Sequence, residues 1–169
     1  EPNIKILEKY NLSKGTYVFL RLINRNSLNY KNVEKAFDLI QIIKLLKKNG
    51  IKLVVSSEEK IKGLESIENL VFIEKEKFYH SIINYAMFTI TEGDTVARES
   101  AILGVPTIYV GGRDMLVNKI FKSEGLLYES LDNNNTLDII ELLITKPYEQ
   151  KRRFENEFDD IVKLTLSEL

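Results

Sequence analysis

Met87–Val110, MFTITEGDTVARESAILGVPTIYV, is the stretch that most narrows the folds open to this chain. It reads as strand, loop, helix, tight turn, strand. Met87–Ile90 is short, apolar and partly β-branched, as a buried strand is. Thr91-Glu92-Gly93-Asp94 breaks that pattern, and Asp94 or Thr95 is placed to cap a helix. Ala97, Ala101 and Gly104 give the helix a face of small residues that can lie close to a sheet. Gly104 can take the left-handed conformation that ends a helix, and Val105-Pro106 forces the chain extended into Thr107–Val110. A helix between parallel strands begins at the carboxyl edge of the sheet. Ligands of open α/β folds bind at that edge, and a helix N-terminus there favours an anion.

The rest of the chain repeats the alternation. Asn3–Tyr10 suits a short entry helix, and Thr16–Ile23 is an apolar first strand followed by the polar loop Asn24–Tyr30. Asn32–Lys48 carries apolar residues at helical spacing and is closed by Asn49-Gly50. Ile51–Val55 and Leu70–Ile73 read as strands two and three, and Lys77–Ala86 as the helix leading into strand four. Gly111–Asp114 is a loop, Leu116–Ser123 a helix and Leu126–Tyr128 a sixth strand. Asn133-Asn134-Asn135 reads as loop, and Leu137–Ile144 and Tyr148–Leu166 as helices. This order predicts an α/β fold: a doubly wound, Rossmann-like, mainly parallel six-stranded sheet with helices on both faces.

Composition excludes several functions. The 169 residues make one domain, 44% hydrophobic and 29% charged, with a net charge of −1 and Lys and Glu interspersed. A broad basic surface for nucleic acid is therefore absent. With no cysteine there is no disulfide or thiolate ligand, and one histidine cannot make a His-rich metal site. No apolar run is long enough to span a membrane, so a soluble, cytoplasmic chain is expected. His80 falls on the helix before strand four, which reads as a structural histidine away from the edge loops.

The run Glu92–Pro106, EGDTVARESAILGVP, resembles the nucleotide-sugar motif of GT-B glycosyltransferases and UDP-N-acetylglucosamine 2-epimerases. That motif is a small-residue loop, a helix with a glutamate, then Ala-x-x-Gly-x-Pro and a strand. It is most similar to an uncharacterised, largely archaeal glycosyltransferase-like family, a domain of unknown function, with weaker similarity from about Tyr17 to Glu129. The resemblance implies the C-terminal, donor-binding half of a two-domain protein, an expectation that suits a start at Glu1-Pro2 without methionine. Its partners would be a UDP-sugar donor and the N-terminal domain, with no metal or other cofactor required; whether it forms a homodimer stays open.

The resemblance also assigns roles. Glu99 matches the glutamate that accepts hydrogen bonds from the ribose hydroxyls of UDP; read alone, it is an ordinary solvated helix residue. Gly93, Asp94 and Thr95 form the candidate phosphate loop. Glu92 and Asp94 depart from the pattern, whose members carry small or hydroxyl residues there; two carboxylates would repel a diphosphate unless a cation or arginine intervenes. Arg21, Asn24 and Arg25 leave strand one at the same edge, where an arginine can clamp phosphate or instead pair with an acid such as Glu58. Ser56 and Ser57 after strand two could add hydroxyl contacts or serve as turn residues. Val71–Glu74, including Ile73, occupies the segment that reads the uracil edge through backbone groups, and Arg113 is a further anion contact.

The expected function is nucleotide-sugar binding in a glycosyltransferase-like protein, with the isolated domain binding nucleotide but not turning over. The alternatives are half of a 2-epimerase, or a degenerate, non-catalytic sugar-nucleotide module. A receiver-like domain also alternates β and α, but would carry an acidic cluster where this chain has Asn24-Arg25-Asn26.

Overall fold

The computed structural model describes residues 2–23, 37–57, 63–64, 67–73, 76–113 and 116–146. Six strands form one sheet: β1 Tyr17–Leu22, β2 Lys52–Ser57, β3 Leu70–Ile73, β4 Thr89–Thr91, β5 Thr107–Tyr109 and β6 Leu127–Glu129. Their order is β3-β2-β1-β4-β5-β6 and every pairing is parallel. The helices are α1 Ile6–Lys9, α2 Leu39–Lys48, α3 Tyr79–Asn84, α4 Asp94–Ile102, α5 Leu116–Ser123 and α6 Asn133–Thr145.

Central parallel strands are covered on both faces and so read as unbroken apolar runs. Tyr17, Val18, Phe19 and Leu20 of β1 are accordingly all fully buried. Alternation then sorts them. Val18 and Leu20 join Leu53, Val55, Ile90 and Ile108 under α2 and α6, whose Ile42, Leu46, Ile140 and Leu143 complete that core. Tyr17 and Phe19 pack on the opposite face with Val54 and with Ile82 and Ile83 of α3. The Tyr17 hydroxyl donates to the Ile82 carbonyl at 2.5 Å, so the ring is buried without an orphaned polar atom.

α4 follows the sequence argument. Ala97 and Ala101 are buried and bring the helix down onto β4 and β5. Gly104, at φ 75°, donates to the Ala101 carbonyl while Val105 donates to Ser100, and these paired bonds satisfy the helix's last acceptors. Gly50, at φ 68°, ends α2 the same way.

Some expected boundaries move. β2 runs to Ser57, so Ser56 and Ser57 belong to the strand, and β4 begins at Thr89, after a bend at Ala86 and Met87. Asn133-Asn134-Asn135 is not loop but the first turn of α6: the Asp132 carboxylate accepts the Asn135 N–H at 2.9 Å and starts the helix early. Asn24, Arg25, Glu58, Glu74, the first part of the helix expected at Asn32 and the helix expected over Tyr148–Leu166 lie outside the described residues.

Candidate functional site

From β1 the chain crosses to β2 on one side, and from β4 it crosses to β5 on the other, so the loops leaving these neighbouring strands diverge. Such a divergence opens a crevice at the carboxyl edge. Glu92 ties its floor. Its backbone N–H donates to the Arg21 carbonyl at 3.3 Å, and its buried Oε2 accepts the Ile23 N–H at 3.2 Å. The carboxylate feared as a repulsive neighbour of a diphosphate is thus engaged by backbone. Gly111 closes the other wall so tightly that a Cβ there would lie 2.2 Å from the Glu92 carbonyl oxygen and 2.6 Å from Tyr109 Cε2.

The start of α4 stands over this crevice. Thr91 Oγ1 accepts the Gly93 N–H at 3.0 Å, and Gly93 is the N-cap residue, with φ −87° and ψ 124°. Asp94 is therefore the first helical residue rather than the cap, because the backbone turns helical one residue earlier than expected. Its Oδ1 accepts the Thr95 N–H at 2.9 Å, while Thr95 itself is exposed. Its Oδ2 lies 3.3 Å from Arg98 Nη2 and 3.4 Å from Arg113 Nη1. Half-exposed pairs of this kind contribute only about 0.2–1 kcal/mol to stability. Their electrostatic consequence is larger: the Asp94 charge is flanked by two guanidinium groups, which is the condition an anion beside it would need.

A second group is drawn from β1, β2, α3 and the later part of α4. Arg21, within β1, donates from Nη1 to Ser56 Oγ at 2.8 Å, so one of its partners is a hydroxyl of the adjacent strand. Ser57 lies opposite Leu22, and Ile73 ends β3 as a buried residue opposite Ser56. The Tyr79 hydroxyl donates to Glu99 Oε2 at 2.7 Å, and His80 Nε2 lies 3.3 Å from the same oxygen. Burial, and then the Glu99 carboxylate, push the Tyr79 phenol well above the ordinary tyrosine range, so it stays a donor. Glu99 Oε1 accepts nothing from the described residues.

His80 corrects the sequence reading. It is half exposed and stands beside Glu99, not away from the edge. A helix following a parallel strand starts at the carboxyl edge, and Tyr79 and His80 open α3 directly after β3. That rule was available from the sequence. The structure thus brings together Arg21 and Ser56, Glu99 with Tyr79 and His80, and Asp94 with Thr95 and Arg113. It uses Gly93 as backbone only.

The family model described as "Protein of unknown function (DUF354)" matches residues 1–169, the whole chain. The chain belongs to that family. No curated protein matches this DUF354 chain by sequence. Among solved structures it is similar to the UDP-GlcNAc 2-epimerase of Neisseria meningitidis bound to UDP-GlcNAc, with TM-score 0.68, 17% identity and 98% of this chain on 48% of that one. It is similar to the Methanocaldococcus jannaschii UDP-GlcNAc 2-epimerase in complex with UDP-GlcNAc and UDP, with TM-score 0.63, 19% identity and coverage of 98% and 49%. It is also similar to the S. aureus MnaA–UDP co-structure, with TM-score 0.65, 15% identity and coverage of 99% and 49%. At such identities the likeness is one of fold. The DUF354 chain spans about half the length of these structures. Among its described residues no cluster of His, Asp and Glu side chains could hold a metal ion, and no helix is long and apolar enough to cross a membrane.

Proposed function

We propose that this chain is the nucleotide-sugar-binding half of a GT-B-type, glycosyltransferase-like protein that takes a UDP-linked sugar. The observation that carries the reading is the placement of Glu99. It lies on α4, the helix whose start stands over the crevice, with Oε2 engaged by Tyr79 and no described residue donating to Oε1. The ribose of UDP would donate to that oxygen. The diphosphate would lie toward the α4 N-terminus, where the helix dipole and the Arg98 and Arg113 guanidinium groups offset the Asp94 charge. Leaving-group charge is then stabilised by fixed dipoles and arginines, a route that requires no metal. A second domain would close the cleft and carry the acceptor.

Half of a 2-epimerase is the second reading, favoured by the names of the similar solved structures. The protein joined to its second domain separates the two: C2 epimerisation of UDP-GlcNAc without an acceptor marks the epimerase, and transfer that needs an acceptor marks the transferase.

Calorimetric titration of this chain with UDP and UDP-GlcNAc tests the binding reading. Saturable binding, weakened at least about tenfold (about 1.4 kcal/mol) by Glu99→Ala, is the expected result. A folded chain that binds no UDP at millimolar concentration overturns it and leaves a non-catalytic module.

A further inference from the structure

Consecutive residues of a helix point about 100° apart and do not normally share a target. Tyr79 and His80 do: their rings lie 4.0 Å apart at 36°, and both polar ends reach Glu99 Oε2, on a different helix, from 2.7 and 3.3 Å. An exposed carboxylate pair of this strength adds little to folding. What it changes is freedom, since a glutamate on a helix surface samples several rotamers and these two groups favour the one that meets them. Only one of its oxygens is taken, and Arg21, whose charge acts on Tyr79, is the nearby cation on the β1 side.

We infer that Tyr79 and His80 are positioning residues that clamp Glu99 by Oε2, so that Oε1 alone reads the sugar of the nucleotide. This rests on the reading of Glu99 as the ribose contact and deepens it. A carboxylate free at both oxygens can accept from two vicinal hydroxyls at once. One clamped at a single oxygen offers the ribose only Oε1, and the fixed direction of that oxygen's lone pairs favours one of the two hydroxyls. Tyr79, being a partly buried phenol that keeps its proton, supplies the bond that sets orientation. His80, half exposed, supports the same oxygen from the rim.

The test compares UDP, 2′-deoxy-UDP and 3′-deoxy-UDP by calorimetry on wild type, Tyr79→Phe, His80→Phe and His80→Gln. Wild type is expected to prefer UDP over one deoxy analogue by about tenfold and to be nearly indifferent to loss of the other hydroxyl. Tyr79→Phe keeps the ring and is expected to cut that preference to about threefold or less, with affinity for the disfavoured analogue unchanged. His80→Gln, which retains a donor, should preserve the preference better than His80→Phe. A residue that merely supported the fold would weaken all three ligands alike. Equal losses for both deoxy analogues in wild type overturn the single-oxygen reading. A preference unchanged in both Tyr79→Phe and His80→Phe, with UDP still bound, overturns the clamp while the proposed function stands. Absence of any UDP binding removes both.

Discussion

At the scale of single residues the crevice is governed by close approach. Gly111 faces the Glu92 carbonyl and the Tyr109 ring at distances no Cβ tolerates, and both neighbours are held, one by the backbone of β4's exit and one in the core. Gly111→Ala is therefore expected to destabilise the fold by about 2–4 kcal/mol, seen as a lower urea midpoint with little change in slope. An unchanged midpoint would mean the two loops part easily. Glu99 and Asp94 could be named as candidates from the sequence because a local motif contains them. For Tyr79 and His80 the sequence could give the place at the edge but not the meeting with Glu99, which is made across about twenty residues and through a helix–helix contact. The backbone contact of Glu92 was hidden for a related reason: the Ile23 N–H it accepts comes from a strand end 69 residues away.

At the scale of elements, boundaries follow the local caps. The triple asparagine looked like a loop because asparagine favours turns, yet Asp132 accepts the Asn135 N–H and Ile140 and Leu143 bury the helix's apolar face. Asp132→Ala should cost about 1 kcal/mol, read as a drop in thermal midpoint, while Asn134→Ala should cost almost nothing or stabilise slightly. The α1 element is tied down differently. Lys9 Nζ donates to Glu76 Oε2 at 2.5 Å and the Tyr10 hydroxyl donates to it at 2.6 Å, joining α1 to the segment before α3. Those bonds, Lys9's first, lower the Glu76 carboxyl to about 2 from an ordinary 4.5. A carboxyl lowered on folding stabilises the fold above its unfolded value, so this contribution is complete above about pH 4.5 and lost as pH falls toward 2. Glu76→Gln should make the fall in urea midpoint between pH 5 and pH 3 shallower; an identical slope would show the contact to be weak in solution.

At the scale of the whole molecule, the two apolar faces of the sheet leave only its edges for chemistry. The alternation of strand and helix fixed which edge carries the loops, whereas the sheet order, and with it the switch point between β1 and β4, is supplied by the structure, because several strand orders share the same alternation. The chemistry on that edge has a geometric limit. Under the proposed function Glu99 would meet a hydroxyl and Arg98 and Arg113 a diphosphate, with His80 beside Glu99, and these groups make up the wall that this chain contributes to the cleft. Under the proposed function the sugar itself would project away from this wall, toward groups of a second domain. This chain alone should therefore bind UDP-GlcNAc yet neither hydrolyse, transfer nor epimerise it over hours, as followed by proton NMR of the anomeric signal. Turnover by the isolated chain at an ordinary enzymatic rate, above about 1 per second, would relocate the reacting groups onto this wall and make His80 the first residue to replace.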